Sequence, residues 1–385
     1  MEGGYMTENK LEANNKKLGF GLMRLPRLEG DGDVIDVEQT KKMVDLFMEA
    51  GCTYFDTAWI YPGSEEAMRK ALVERYPRES YTVATKNAAW AGCKTREDAI
   101  EQFETSLRRS GAGYFDYYLL HNLGQNRTSV FDEFDLWKFA FDMKEQGKIR
   151  HVGFSFHSTA DELEAILTSH PEAEFVQLQI NYADWENDEV QSRRVYEVAR
   201  AHGKPVVIME PIKGGLLADP PQSVKELFDE AAPGASYASW AIRFAASLDG
   251  VLAVLSGMSD VAQMQDNLSY MKDFKPLTEA EQDTIVRARK AMEAIPIVPC
   301  TSCNYCSKVC PMDIGISGTF KCLNIIKMYG NVQRALHEER FCVINPGKKR
   351  ANECIKCGAC EAACPQHIRI RDNLEEAARL MEMTV

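Results

Sequence analysis

The stretch at residues 52–61 is CTYFDTAWIY, and it opens with a short β-branched and aromatic run that is typical of a buried strand. Asp56 follows this run at its carboxyl end, and Tyr61 lies five residues further along. The carboxyl end of a strand is where barrel enzymes carry their reactive groups. The pair could equally be a helix cap and a half-buried surface aromatic, so its meaning depends on the rest of the chain.

The surrounding sequence alternates strand-like runs with helical periods. Amphipathic helices are predicted at residues 37–48 and 100–107. Seven further strands are predicted at residues 18–23, 81–85, 115–120, 149–155, 175–180, 205–209 and 251–255. Strands separated by helices pair in parallel, so eight units over about 250 residues predict an α/β fold, a closed (β/α)8 TIM barrel. The alternative is a doubly wound open sheet, but no Gly-x-Gly-x-x-Gly follows a strand.

Size and charge limit the class of protein. With 385 residues, 45% of them hydrophobic, the chain can hold one large domain and one smaller domain. Pro296 and Pro299 follow a charged helical stretch, which places the boundary between residues 1–293 and 294–385. A net charge of −12 without a Lys/Arg cluster argues against nucleic acid or an anionic membrane as partner. The polar start and the short apolar runs predict no membrane span and a cytoplasmic location.

Cysteine is concentrated after Pro299, where ten of the twelve cysteines lie, eight of them in two clusters. The spacing Cys-x-x-Cys-x-x-Cys-x-x-x-Cys-Pro occurs at residues 300–311 and again at residues 354–365. This is the spacing of bacterial ferredoxins, in which three cysteines hold one cluster and the fourth crosses to the other. Without a signal peptide, metal ligation explains the cysteines better than disulfides do. A zinc ribbon is the alternative, but it needs only two Cys-x-x-Cys pairs.

The ferredoxin spacing therefore predicts two 4Fe-4S clusters in the tail. One cluster would be bound by Cys300, Cys303, Cys306 and Cys364, and the other by Cys354, Cys357, Cys360 and Cys310. Helical patterning at residues 319–329 and 332–341 separates the two motifs. The tail thus resembles the α-helical ferredoxin domains of multisubunit redox enzymes more than a compact βαβ ferredoxin.

Two more polar residues directly follow predicted strands, Lys86 after residues 81–85 and His121 after residues 115–120. Because the strand ends of a barrel share one rim, these two residues should converge with Asp56 and Tyr61. Singly, Lys86 could be an ordinary rim cation and His121 a satisfied strand-end histidine. Together the four resemble the catalytic tetrad of the aldo-keto reductase family. The resemblance continues through residues 19–21, 147–153, 177–181, 214–217 and Asn267.

The resemblance implies that the first domain reduces a carbonyl by hydride transfer, which requires a proton donor at the oxygen. Tyr61 would be that donor. A nearby ammonium favours the ionised form of a phenol, so Lys86 is expected to bring the acidity of Tyr61 closer to the working pH. Asp56 would keep Lys86 charged and oriented, and His121 would hydrogen-bond the carbonyl oxygen.

The resemblance also implies NADP(H) or NAD(H) as cofactor. Ser155 and Gln177 match the positions that bind the nicotinamide carboxamide in relatives, and Met209 matches the residue that stacks on the ring. At the adenosine end, the ribose phosphate and adenine would contact Ser256, Gly257, Gln263 and Asn267. The other expected contacts are Gly21, Leu22, Met23, Pro211, Gly214 and Gly215.

The sequence departs from the family pattern at several of these positions. Phe156 stands where relatives have Asn, Met209 where they have Tyr and Leu22 where they have Thr. Met and Phe can pack against a flat ring but cannot replace an amide's hydrogen bonds. The Lys and Arg that often bind the 2'-phosphate in relatives are absent. The preference between NADP and NAD is therefore open. A flavin in the barrel is a further possibility.

Two functions from different classes follow. In the first, the chain is an NAD(P)H-dependent reductase of a small carbonyl compound, and the clusters transfer electrons or stabilise structure. In the second, it is an electron-transfer subunit or a flavin-assisted reductase, fed by a ferredoxin-like partner protein through the clusters. A hydride moves two electrons together, whereas each cluster accepts one, and this difference separates the two hypotheses. A third hypothesis, a non-catalytic redox sensor, is weakened by the complete tetrad.

Overall fold

The computed structural model describes residues 16–29 and 31–382. Within these residues ten strands are present: β1 Leu18–Gly21, β2 Arg27–Leu28, β3 Asp31–Ile35, β4 Tyr54–Asp56, β5 Thr82–Asn87, β6 Phe115–Leu123, β7 Ile149–Phe156, β8 Phe175–Gln179, β9 Val206–Met209 and β10 Val251–Ser256. Eight of them pair in parallel and close in the order β1-β10-β9-β8-β7-β6-β5-β4, with β4 returning to β1. The predicted (β/α)8 barrel is confirmed. The antiparallel hairpin of β2 and β3 was not predicted.

Helices follow the barrel strands. Those up to residue 293 are α1 Val37–Glu49, α2 Ser64–Met68, α3 Arg96–Ser110, α4 Thr128–Glu133, α5 Leu136–Glu145, α6 Ala160–Ser169, α7 Ser192–Ala201, α8 Gln222–Ala231, α9 Tyr237–Ala246, α10 Val261–Met271 and α11 Glu279–Glu293. Short 3-10 or π turns lie at Leu22–Arg24, Arg69–Val73, Arg78–Ser80 and Lys213–Ala218. Local caps define helix starts: Asp36 accepts from the Gln39 amide at α1, and Thr95 and Asp98 form a capping box at α3.

Alternation along β4 decides which side chains enter the barrel. Phe55 faces the helix layer, where its ring lies 5.1 Å from that of Phe47 on α1. Tyr54 belongs to the separate apolar cluster inside the barrel, and its ring lies 5.2 Å from that of Tyr117. Successive strand residues point to opposite faces, so Asp56 points inward like Tyr54, one layer nearer the carboxyl rim.

The same period of two applies to the next strands around the barrel. Ala84 of β5 and Leu119 of β6 lie in the interior cluster, so Lys86 and His121 occupy inward positions two residues later. On β8, Phe175 is an interior residue and Gln177 follows it inward. The interior apolar layer thus lies directly below the polar residues at the carboxyl ends of these strands.

The cysteine-rich tail is helical. Its elements are α12 Tyr305–Lys308, α13 Ile316–Tyr329, α14 Val332–Glu339, a π turn Arg340–Ile344, a 3-10 turn Ala351–Glu353, α15 Ala359–Ala362 and α16 Ile370–Glu382. A core of its own packs Phe320 and Leu323 of α13 against Leu374 and Ala377 of α16. The predicted helices at residues 319–329 and 332–341 correspond to α13 and to α14 with its π turn.

Contacts divide the described chain into two compact units. One contains the chain up to Ala218 together with Ala235–Asp283, and the other contains Asp219–Gly234 together with the chain from Thr284 onward. The predicted domain boundary at residues 293/294 follows the last residue of α11 and stays a prediction. No helix among the described residues combines the length and the apolar character that a bilayer crossing needs.

Candidate active site

A buried ion pair lies at the carboxyl rim of β4 and β5. Lys86 Nζ donates to Asp56 Oδ1 at 2.6 Å and to the Thr57 carbonyl at 2.7 Å. Lys86 is 1% exposed and Asp56 is 3% exposed. Burial raises the pKa of Asp56, and Lys86 opposes this rise. Burial lowers the pKa of Lys86, but the charge of Asp56 contributes to a net rise. Lys86 therefore stays protonated.

Tyr61 and His121 adjoin this pair. Lys86 Nζ lies 5.2 Å from the centroid of the Tyr61 ring, and the Tyr61 and His121 rings are 5.9 Å apart in an edge arrangement. Trp90, in the loop after β5, donates its Nε1–H to the His121 carbonyl at 2.8 Å. The four residues of the predicted tetrad are thus brought together at one rim, although their catalytic roles stay predictions.

Protonation of the phenol and the imidazole is set mainly by burial. Burial raises the pKa of Tyr61, and the charge of Lys86 opposes the rise without cancelling it. Lys86 thus acts in the expected direction, but the net pKa lies above the usual value of a phenol. Burial, Lys86, His157 and Arg127 lower the pKa of His121 well below its usual range. At neutral pH the site presents a neutral phenol and a neutral imidazole beside an ammonium.

Replacing Asp56 by Asn should destabilise the barrel by about 3–5 kcal/mol, because the buried Lys86 ammonium would lose its anion. The five tryptophans all lie between residues 59 and 240, so urea unfolding followed by their fluorescence measures the barrel. Asp45→Asn is the matched control, since Asp45 pairs with Arg75 at a partly exposed site and should contribute at most about 1 kcal/mol. Equal destabilisation by both variants would contradict the prediction.

The predicted cofactor contacts occupy a different arc of the rim from the tetrad. The tetrad lies on β4, β5, β6 and the loop after β4, whereas the cofactor positions lie at the ends of β7 to β10 and β1, which are consecutive in the barrel. Met209 ends β9, and Gly214 and Gly215 adopt left-handed φ angles of 66° and 96° in the turn Lys213–Ala218. The remaining positions are Gly21 at the end of β1, Leu22 and Met23 in the next turn, Ser155 in β7, Gln177 in β8, Pro211 after β9, Ser256 and Gly257 at the end of β10, and Gln263 and Asn267 in α10.

Two buried amide oxygens on this arc lack hydrogen-bond partners within the described chain. They are Gln177 Oε1 and Asn267 Oδ1. The Gln177 Nε2 atom lies 3.6 Å from the Met209 sulfur, which leaves the amide oxygen as the free end. A buried acceptor without a partner costs free energy, so both atoms fit a ligand that donates N–H groups.

Other predicted contacts are already engaged. Gln263 Nε2 donates to Asp260 Oδ2 at 2.9 Å, and its amide oxygen accepts from the Ser259 backbone at 2.9 Å. The Ser155 hydroxyl accepts from the Asn122 backbone N–H at 2.8 Å. Met23 is 56% exposed. Both ends of the Gln263 amide are therefore hydrogen-bonded at the N-terminus of α10. The side chain would have to rearrange to bind adenine.

Eight of the ten tail cysteines line two cavities, four in each. Cys310, Cys354, Cys357 and Cys360 line one together with Ile314, Ile316 and Leu374. Cys300, Cys303, Cys306 and Cys364 line the other together with Phe320, Ile368 and Ile370. These are the crossed sets that the spacing predicts. Among residues 16–29 and 31–382, no three His, Cys, Asp or Glu side chains are arranged to hold a single metal ion.

The backbone around the cavities repeats between the two motifs. Left-handed φ angles occur two and four residues after each first cysteine, at Ser302 and Asn304 and again at Lys356 and Gly358. The Lys356 N–H lies 3.4 Å from the Cys354 sulfur, as a donor to it. Alternating right- and left-handed residues turn successive N–H groups inward, which is the concave backbone found around many Fe–S sites. The four cysteine thiols of each cavity and the left-handed backbone beside them both fit a 4Fe-4S cluster.

A supporting network behind Tyr61 was missed by the sequence reasoning. Arg109 donates to the Trp59 carbonyl at 3.2 Å and pairs with Glu66 at 3.2 Å. Glu65 is 1% exposed and accepts from the Thr85 hydroxyl at 3.0 Å. These contacts hold the loop that carries Tyr61. The only signal in the sequence was a charged pair just after a reactive tyrosine, which is equally typical of a solvated helix start.

The fold and the polar rim define a (β/α)8 barrel with reactive groups gathered at its carboxyl mouth. The chain belongs to the aldo/keto reductase family, which matches residues 17–290. A second match, to the 4Fe-4S dicluster domain, covers residues 299–368.

Individual relatives are distant. The chain is 30% identical over 207 residues to aldo-keto reductase str7 of Strobilurus tenacellus, a match that covers 52% of this chain and 59% of that protein. It is 30% identical over 139 residues to the 9,11-endoperoxide prostaglandin H2 reductase of Trypanosoma cruzi, covering 36% of this chain and 44% of that protein. The matched region spans about half the length of these relatives.

Solved structures share the barrel. The holo form of aldo-keto reductase AKR11C1 from Bacillus halodurans matches with a TM-score of 0.55 at 24% identity, over 71% of this chain and 91% of that one. An aldo-keto reductase from Klebsiella pneumoniae in complex with NADPH matches with a TM-score of 0.55 at 21% identity, over 70% and 90%. At these identities the likeness concerns the fold.

Proposed function

We propose that the barrel is an NAD(P)H-dependent reductase of a small carbonyl compound. The observation that carries the proposal is the joint placement of Tyr61, Lys86, Asp56 and His121 at one end of the barrel. A buried ammonium next to a phenol is the arrangement that stabilises a phenolate after it has given up its proton. Membership of the aldo/keto reductase family supports the same chemistry.

The residues on the second arc fit a nicotinamide dinucleotide. Gln177 Oε1 is free to accept from the carboxamide and Asn267 Oδ1 from the adenine amino group, while Met209 offers a polarisable surface to a flat ring. Binding of NADPH by the Klebsiella pneumoniae neighbour supports this class of cofactor. When bound, the reduced nicotinamide supplies a hydride, that is, two electrons and the hydrogen that becomes attached to the substrate carbon.

The protein's own residues then handle the proton and the developing charge. The Tyr61 hydroxyl donates its proton to the substrate oxygen as that oxygen becomes negative. Lys86, held protonated by Asp56, stabilises the resulting phenolate, and Tyr61 afterwards recovers a proton from solvent. Neutral His121 positions the substrate oxygen through a hydrogen bond.

The pH dependence of reduction follows from these pKa directions. Tyr61 must be protonated to donate, and its pKa is raised, so activity should be lost only as the pH rises through a value above about 10. His121 remains neutral because its pKa is lowered well below 6.5. We therefore expect kcat for carbonyl reduction to stay level between about pH 6 and 9. Stopped-flow single turnovers across this range would measure it, and a sigmoid fall centred near neutral pH would contradict it.

We propose that the tail binds two 4Fe-4S clusters, one in each cysteine-lined cavity. Four thiols per cavity, the repeated left-handed backbone and the dicluster match support this assignment. A cluster supplies one-electron transfer when it is bound.

A second candidate is a reductase that receives electrons singly from a partner protein through the clusters, with a flavin in the barrel. The observation that favours it is the apolar residue on the nicotinamide arc, where Met209 lies in the interior cluster of the barrel. The Met209 side chain would suit the flat ring of a flavin as readily as that of a nicotinamide, whereas Phe156 packs on Phe154 away from this site.

The two candidates separate in one experiment on anaerobically purified protein. Iron, sulfide and flavin would be assayed, and NADPH or NADH would then be mixed with the protein with and without a carbonyl compound. The proposal predicts stoichiometric cofactor oxidation without flavin and without bleaching of the clusters. Failure to bind either nicotinamide, together with bound flavin, would support the second candidate instead.

A further inference from the structure

Arg127 lies on the tetrad side of the rim, in a fixed position. Its guanidinium carbon lies 4.8 Å from the centroid of the Trp90 ring. Trp90 is held in turn by its hydrogen bond to the His121 carbonyl, and the Trp90 and His121 rings are 6.1 Å apart. Stacking on an aromatic face holds a guanidinium in one plane while its N–H groups remain available.

The loop that carries Arg127 is held in a costly conformation. Gly124, Gln125 and Asn126 have left-handed φ angles of 95°, 51° and 67°. A Cβ at position 124 would lie 2.6 Å from the Ser158 side chain, so the loop approaches the chain just after β7 more closely than any residue other than glycine would allow. Gln125 fixes it further by donating to the His157 carbonyl at 3.0 Å. Strained, well-fastened loops of this kind cluster at ligand sites.

The Arg127 charge has no counterpart in the described part of the chain. Its side chain makes no ion pair or hydrogen bond there and has only the contact with Trp90. The two acids whose charges act on Tyr61 are already paired, Asp56 with Lys86 and Glu210 with Arg24 at 3.0 Å.

Arg127 therefore adds an unpaired positive charge to the tetrad side of the rim. His121 and the half-buried His157 both feel Arg127 and Lys86, which together with burial lower the pKa of both imidazoles. In a chain of net charge −12 this local excess is unexpected. A bound anion would relieve it.

We propose that Arg127 is the anion-binding residue of the substrate site, and that the substrate is an aldehyde or ketone that also carries a carboxylate. This inference rests on the proposed reductase function and names its substrate class. The planar guanidinium, whose N–H groups have no partner in the described chain, matches the two oxygens of a carboxylate. The phosphates of a dinucleotide are not its target, because the predicted adenosine contacts follow β10, four strands from β6 around the rim.

The test compares paired substrates on the whole protein with its clusters. A short series of aldehydes ending in a carboxylate is assayed beside the same aldehydes ending in a carboxamide, and the ratio of kcat/KM within each pair is recorded. Arg127→Gln keeps most of the side chain but removes its charge. We expect it to lower the ratio roughly 10- to 100-fold, the range of charged hydrogen bonds. Arg108→Gln, at an exposed arginine of α3, is the control and should leave the ratio unchanged.

The possible results separate a failure of the Arg127 proposal from a failure of the reductase proposal on which it rests. If Arg127→Gln leaves the ratio unchanged while both kinds of aldehyde are reduced, Arg127 is not the anion-binding residue and the inference fails. If neither aldehyde is reduced by the natural protein, the reductase proposal fails first. Calorimetric titration with a carboxylate that lacks a carbonyl gives a readout independent of turnover, and its affinity should fall with Arg127→Gln but recover in part with Arg127→Lys. Equal carboxylate affinity in the natural protein, Arg127→Gln and Arg127→Lys would also overturn the inference.

Discussion

Replacing Tyr61 by Phe should lower kcat for carbonyl reduction by about 10²- to 10⁴-fold, because the developing alkoxide would lose its proton donor. The ring and its packing against His121 remain, so KM should change much less than kcat. Single-turnover oxidation of NADPH or NADH by a good substrate measures the effect. Iron content should be the same as in the natural protein, because Tyr61 is far in sequence from every predicted cluster ligand.

Tyr76→Phe is the matched control for this variant. The Tyr76 hydroxyl donates to Asp45 at 2.6 Å, and burial with Asp45 raises its pKa to about 12, but it lies away from the tetrad. Its loss should leave kcat within about twofold, since it removes a partly exposed hydrogen bond only. A Tyr61→Phe protein that still turned over at a comparable rate would show that the proton comes from another group.

Replacing Cys364 by Ala should remove one whole cluster. The lost cluster should be the one bound by the first motif, residues 300–311, although Cys364 belongs to the second motif. Cys364 lines a cavity with Cys300, Cys303 and Cys306, so its loss leaves three thiolates for one cluster and four for the other. Anaerobically reconstituted protein should fall from about eight iron atoms per chain to about four. Iron and acid-labile sulfide assays measure this directly.

Double variants show which cysteines share a cluster from iron content alone, so the spectra of the two clusters need not be assigned. Adding Cys303→Ala to Cys364→Ala should remove no further iron, because both residues serve the same cluster, whereas adding Cys357→Ala should remove nearly all of it. Cys342→Ala is the control, since Cys342 lines neither cavity and donates to Glu338 instead. The reverse pattern, with Cys357 and Cys364 on one cluster, would refute crossed ligation.

Much of the barrel could be predicted because its signals are local. Most of the strands are β-branched or aromatic runs, and the residues at strand ends follow from alternation, as with Ala84 before Lys86. The short hairpin of β2 and β3 was missed because Arg27–Leu28 is too brief and too exposed to show a pattern. The grouping of the tail cysteines followed from spacing, because ferredoxin-type motifs encode pairing in their periodicity.

The rest depends on long-range packing. The raised pKa of Tyr61 comes from the extent of its burial, which the spacing to Asp56 does not reveal. The position of Arg127 depends on a loop of left-handed residues and on a tryptophan from the loop after β5, two features with no shared sequence pattern. Gln263 matched the family pattern, but its side chain closes the first turn of its own helix.

The most direct test of the proposed reduction follows a label from the nicotinamide to the product. NADPH or NADH deuterated on one face of C4 would be given to the protein with a carbonyl substrate in ordinary water, and then the cofactor labelled on the other face. Hydride transfer at a site built around Tyr61 predicts that one of the two labels, and not the other, appears on the carbinol carbon of the product. A product whose new C–H hydrogen comes from water with either label would contradict it and indicate electrons delivered singly.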